Sequence, residues 1–171
     1  MLPDGTITKD ATLDLSIAGI FLFGMLPADD PRVVATMQAL ESRLWVKTAI
    51  GGFARYENDN YFQQSQDIAN VPGNPWFVAT LWVAEHHIAV TKDLAGLDRP
   101  RELLEWCATK ANRSGVLAEQ VHPLTGEPMS VAPLTWSHAA YVGAVQRYAR
   151  KAHLLKDSLR ARAKSAGEVI A

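Results

Sequence analysis

The chain has 171 residues, 48% of them hydrophobic and 20% charged, enough for one globular domain with a core of its own. Its formal net charge of -1 and isoelectric point near 6.5 give no electrostatic reason to expect nucleic acid or an anionic membrane as partner. The only cysteine, Cys107, excludes an intrachain disulfide, and its setting in LLEWCATK predicts a helix core position rather than a nucleophile.

In chain order the pattern predicts six helical segments and almost no strand. The first, about Thr12 to Leu26, is apolar nearly all round and reads as a helix buried on most sides. Its run IAGIFLFGML falls short of the roughly 20 residues that span a bilayer, and no charged start with a cleavage site precedes it. A soluble protein is expected, with the cytoplasm favoured. The second helix starts at Asp30 and Pro31, a cap followed by proline, and carries an apolar face through Val33, Val34, Met37, Leu40 and Leu44. The third repeats that signal at Asn74 and Pro75 and runs through WFVATLWVAEHHIAV, apolar for most of its length. The fourth, about Arg99 to Asn112, is amphipathic through Leu103, Leu104, Cys107 and Ala111, with Gly115 as its stop. A fifth starts near Pro133 and holds TWSHAAYVGAVQRYA, and a sixth fills Lys156 to Ile170, where the basic run LRARAK reads as a solvated helix face.

The links alternate in length. Those at Pro27 to Asp29, Lys92 to Asp98 and about His153 to Leu155 are short, whereas about Val46 to Gly73 and Ser114 to Ala132 are long for a compact domain. Successive antiparallel hairpins put every second link at the same end, so both long loops share one face. Trp76 and Trp136, each at the start of an apolar helix behind a long loop, belong to that face. An inner ring of apolar helices backed by amphipathic ones follows, with a site at one mouth.

The first long loop carries GGFARYENDNYF, in which two glycines precede Arg55, Tyr56, Glu57, Asn58, Asp59, Asn60 and Tyr61; the second carries Glu119 and Gln120. Planar polar groups suit hydroxyls and flat aromatic faces suit the C–H faces of a sugar ring. A solvent-exposed rim whose aromatics merely cover core is the competing reading of composition alone.

GGFARYENDNY, GNPWFVATLWVAEHH, AEQVHPLTGEP and APLTWSHAA together closely resemble the C-terminal part of the glucoamylase family of glycoside hydrolases, family 15, over about Thr12 to Lys151. The resemblance implies an all-α fold, helical hairpins forming the second half of an (α/α)6 barrel, with residues 1–171 a single partial domain. It implies Glu119 as the catalytic general base of an inverting α-glucosidase, Arg55 as a sugar contact, and Tyr56, Tyr61, Trp76 and Trp136 as substrate-binding residues. Asn58 stands where fungal members have an acid. The family's general acid lies upstream of everything in this chain, and an inverting hydrolase needs that second carboxyl about 6.5–9.5 Å from the base. Glu57 and Asp59 share the active face without occupying the acid's place. The resemblance therefore implies a starch-like glucan or other α-glucoside substrate, with trehalose or α-1,6 ends as alternatives, no cofactor, and a half-ring covered by the missing N-terminal half or by a homodimer mate. A non-catalytic sugar-binding or interaction remnant is the other class. No metal site is expected, because the adjacent His86 and His87 point to different faces. His122 and His138 are read in loop and cap roles, and Met25, Met37 and Met129 as gap fillers.

Overall fold

The computed structural model describes residues 5–7 and 9–168, apart from the side chains of 165–168. A short 3-10 turn, Leu15–Ala18, runs into helix α1, Gly19–Leu22, and is followed by α2, Pro31–Leu44, and α3, Phe77–Val90. A second 3-10 turn, Ala95–Leu97, leads into α4, Asp98–Thr109; then come strands β1, Gln120–Val121, and β2, Pro128–Met129, and finally α5, Thr135–Glu168.

Helix α3 is the inner element. Ten of its fourteen residues are buried, because it packs against α4 and α5 on one side and against α2 and the first turn on the other. Ala79 and Val83 join Met37, Leu40 and Leu44 of α2, while Phe77 and Leu81 join Leu104 and Cys107 of α4 and Ala144 of α5. Helices α2 and α4 lie outside, each burying one stripe, as their spacing predicts. The Asp30 side chain caps α2 by accepting from the Arg32 backbone N–H, with Pro31 at the first position. Burial pushes the Cys107 thiol up, as befits a core position.

Three helix expectations are corrected. The first helix does not span Thr12 to Leu26: its helical turns cover only 15–22, closed at one end by the Asp14 cap and at the other by Gly24 at φ 75°. It is not buried on most sides either, since Ile17, Phe23 and Met25 are exposed. The third helix starts at Phe77 rather than at a cap on Asn74, because Pro75 and Trp76 are extended and bridge to Ala54 and Gln120. No break separates the fifth and sixth segments. The sequence from His153 to Leu155 holds neither glycine nor proline, and the His153–Asp157 pair at 3.2 Å spans it one turn apart. The continuous helix α5 leaves Val142, Leu154 and Leu159 exposed. The last residues expected in the sixth segment, Val169 and Ile170, lie outside the described residues.

Both long connections, 45–76 and 110–134, come to one end and are stitched together there. Phe53 bridges Trp45, Ala54 bridges Pro75, Trp76 bridges Gln120, and the Val121 N–H donates to the Pro75 carbonyl at 2.9 Å. Gly52 makes the crossing possible: it sits at φ 86°, and a Cβ there would come within 2.5 Å of the Trp106 ring and 2.9 Å of Pro75. No helix among the described residues is long and apolar enough to cross a membrane.

Candidate active site

A cleft of about 400 Å³ opens where the two connections meet. Its walls include Arg55, Tyr56, Trp76, Glu119 and Trp136, five of the six residues singled out from sequence. The sixth, Tyr61, stands beside them, its ring 6.1 Å from that of Trp76. Segments far apart in the chain are thus brought to one place by the bridges at Ala54, Pro75 and Trp76.

Arg55 is fixed from several sides. Its Nε and one terminal nitrogen donate to the two carboxylate oxygens of Asp59 at 3.0 and 2.9 Å, and the same terminal nitrogen reaches the Tyr56 hydroxyl at 3.3 Å. The guanidinium lies over the Trp76 ring at 4.4 Å, with Tyr56 at 4.7 Å and Tyr61 at 5.5 Å. Partial desolvation opposes its charge, but Asp59 and Tyr56 hold it above its ordinary range. Asp59 is fully buried and also accepts from the Tyr61 N–H at 3.0 Å, so it sets both the guanidinium and the aromatic behind it.

Glu119 is half-buried on the opposite connection. Its backbone is pinned to the segment just after β2 and to the start of α3, with its N–H donating to the Val131 carbonyl at 2.9 Å and its carbonyl accepting from Phe77 at 3.4 Å. The Ser130 hydroxyl donates a short hydrogen bond to Glu119 Oε2. Ser130 reaches it from a left-handed backbone, φ 63°, a conformation a serine adopts only where its surroundings compel it. Among the described residues, none donates a hydrogen bond to Glu119 Oε1.

Two expectations about single residues fail. Glu57 does not share the cleft face: it accepts from the Leu13 N–H at 3.1 Å, pairs with Arg43 at 2.5 Å, and lines a separate pocket behind the loop together with Asn58. Asn58, at φ 59°, turns the chain between those two faces. Met25 fills no gap, being exposed, whereas Met37 is fully packed. His86 and His87 diverge as expected, to the Ala28 carbonyl and to Glu41, and no cluster among the described residues has the make-up of a metal site. His122 accepts from the Leu124 and Thr125 N–H groups of the hairpin turn, and His138 from the Leu117 N–H.

Four contributors escape sequence reading. Asp59 stands four residues from Arg55, but in a loop that spacing carries no geometric meaning. Trp82, whose ring is 5.5 Å from that of half-exposed Trp136, reads as one more apolar residue of α3. Ser130 is brought to Glu119 only by the pairing of Gln120 with Met129, and the Thr125–Gly126 turn was the available signal for that hairpin. Asn74, taken for a cap, instead donates its amide to Gln120.

An inner helix between outer ones, with a carboxylate and stacked aromatics at one mouth, defines a segment of an all-α, glucoamylase-like (α/α)6 barrel. Residues 5–146 match the family model for glycosyl hydrolases family 15. An uncharacterized glycosyl hydrolase of Methanocaldococcus jannaschii is 34% identical over 143 residues, 78% of this chain and 21% of that protein. A glucoamylase of a Clostridium species is 29% identical over 81% of this chain and 20% of its own length, and a trehalase of Thermoplasma acidophilum 26% identical over 76% and 20%. The crystal structure of a bacterial glucoamylase complexed with acarbose superimposes with a TM-score of 0.68 at 28% identity, covering 82% of this chain and 21% of that one. The chain belongs to glycosyl hydrolase family 15. It spans about a fifth of the length of these relatives.

Proposed function

We propose that this chain is the C-terminal part of the catalytic barrel of an inverting α-glucosidase of glucoamylase type, acting on terminal α-linked glucose of starch-like glucans. Glu119 is the general base, drawing a proton from water on the face of the sugar opposite the leaving group. Arg55, Tyr56, Tyr61, Trp76 and Trp136 bind the sugar: a guanidinium held flat by Asp59 presents paired donors to hydroxyls, and the aromatic faces take the C–H surfaces. The observation that carries this reading is the meeting of Glu119, Arg55 and the two tryptophans around one cleft. The general acid belongs to the part of the barrel that the relatives have and this chain does not.

The isolated chain is accordingly expected to release no glucose from maltose or starch at a useful rate, since a single acid or base group is typically worth about 10²- to 10⁴-fold. Glucose release by the purified chain that disappears in Glu119→Gln would overturn the placement of the acid. Trehalose is the second substrate reading, favoured by the trehalases among the relatives. Titrating the chain with maltose, isomaltose and trehalose while following tryptophan fluorescence separates them: tighter binding of trehalose decides for that reading, and no response to any of the three decides against a sugar site.

A partner follows from the open flank. Ile17, Phe23 and Met25 along one edge and Val142 and Val145 along α5 are apolar side chains left in solvent. They are covered in the functional assembly by the remainder of the barrel or by a second copy of the chain. A strictly monomeric, soluble species across a wide concentration range in sedimentation would count against the second copy.

A further inference from the structure

Asn74 neither lines the cleft nor bonds Glu119, yet it is 1% exposed and its Oδ1 has no hydrogen-bond partner among the described residues. A buried carbonyl left unpaired is a cost that a residue kept only for stability does not explain. Its Nδ2 makes two bonds, to the Phe62 carbonyl and to Gln120 Oε1, both at 2.8 Å. A backbone carbonyl can only accept, so the Asn74 atom facing Phe62 is the nitrogen. The Gln120 atom facing that nitrogen is therefore the oxygen. Gln120 is fully buried, and its amide is left with Nε2 directed at Glu119 Oε2, a long contact of 3.5 Å. Ser130 donates to the same oxygen.

We propose that Asn74 is a positioning residue for Glu119: by holding Gln120 Oε1 it fixes the polarity of the Gln120 amide, so that two donors converge on Glu119 Oε2 and Oε1 is the oxygen offered to the cleft. The role of Oε1 as the base atom rests on the function proposed above, whereas the coupling of Asn74 to Glu119 does not. Other charged or titratable groups on the cleft walls are Arg55, Tyr56 and Asp14, none of which touches Asn74 or Gln120 in a hydrogen bond. Without Asn74 the Gln120 amide is free to turn, and its carbonyl end then faces the carboxylate and favours the protonated acid.

The test uses the whole chain and needs no catalysis. Carboxyl ¹³C titration, with the Glu119 signal assigned by its loss in Glu119→Gln, compares the parent with Asn74→Leu, Gln120→Met and the double variant. Gln120→Met removes one donor from Glu119 and moves its titration to higher pH. Asn74→Leu moves it in the same direction, and the double variant moves it no further than Gln120→Met alone. The signal of Glu85, whose carboxyl burial holds above its ordinary range, stays in place, which a general loosening of the fold would not allow. An Asn74→Leu shift as large in the Gln120→Met background as in the parent overturns the proposal, and so does an unmoved Glu119 in either folded single variant. If Asn74→Leu fails to fold, Gln120→Met alone decides, since an unchanged Glu119 there leaves nothing for Asn74 to act through. A coupling found together with absent sugar binding would leave the network standing and remove the enzymatic reading.

Discussion

Replacing Arg55 by methionine tests how the cleft is held together. The two partners of the Arg55–Asp59 pair are unequally placed: the Arg55 side chain is 35% exposed and that of Asp59 is 1%. Arg55→Met keeps length and apolar contact with Trp76 but, among the described residues, removes two of the three donors to the Asp59 carboxylate and its only ion-pair partner. Breaking a buried pair from the exposed side leaves the charge where water cannot reach it, a situation that typically costs about 3–5 kcal/mol. The guanidinium also gives up its place over Trp76, worth about 0.5–2 kcal/mol. Asp59→Asn leaves the opposite orphan, a cation that water reaches over a third of its surface, and an amide oxygen that still accepts from Tyr61. That variant is expected to lose about 1–2 kcal/mol. For a chain of this size the two losses, about 3.5–7 and about 1–2 kcal/mol, correspond to falls in Tm of roughly 7–28 °C and 2–8 °C. Urea denaturation of both variants at pH 7 reads the difference directly. Equal losses, or a greater loss for Asp59→Asn, would show that Asp59 is not the buried anchor and would remove the reason for Arg55 being held flat at the cleft.

Two further outcomes follow from the packing. Gly52→Ala places a Cβ into Trp106 and Pro75 at a positive φ, so the two connections can no longer cross there; a loss of about 2–4 kcal/mol is expected, with weakened sugar binding, and a stable variant with unchanged binding would contradict it. Arg147→Met deprives Glu85, 6% exposed, of its 2.8 Å partner. Burial already raises the Glu85 carboxyl above its ordinary range against the pull of Arg147, so the folded state holds this proton more firmly than the unfolded chain. Its contribution is therefore full below the ordinary carboxylate range and is lost as pH rises through the raised value. Removing Arg147 deepens that loss: about 1–2 kcal/mol at pH 7.5 and less at pH 5 by thermal melts, while a pH-independent loss would refute the assignment.

Local signals that report on the chain's own backbone were legible. Asp30–Pro31 started a helix and Val33, Met37, Leu40 and Leu44 faced the core. The alternation of short and long links put both long loops at one end, and five of six named residues line one cleft. What the sequence hid was polarity and pairing inside the site. Asn74 before Pro75 looks like a helix cap because both roles ask the same of it, a short polar side chain at a chain turn. Only the extended bridge from Trp76 to Gln120 turns that amide inward. Glu57 and Asp59 are alike in the sequence, two carboxylates in one polar run, and the left-handed turn at Asn58 between them sends one to Arg43 and the other to Arg55.

The largest misreading has a different physical origin. Apolar residues all round the first segment, about Thr12 to Leu26, and along α5 predict burial, yet Phe23 is 86% exposed, Met25 77% and Val142 55%. Amphipathic α2 and α4, whose partners lie within the chain, bury most of what their patterns predict, with Val34 and Ala111 half-buried. Helix α3, flanked on both sides, does the same, and the failures are confined to the two elements that end the half-ring. An apolar pattern records the neighbours for which a helix is suited, whether or not they are present. The excess of apolar surface on the first segment and α5 over what this chain covers is what the proposed assembly with the rest of the barrel would bury, in line with a chain that spans about a fifth of its relatives' length.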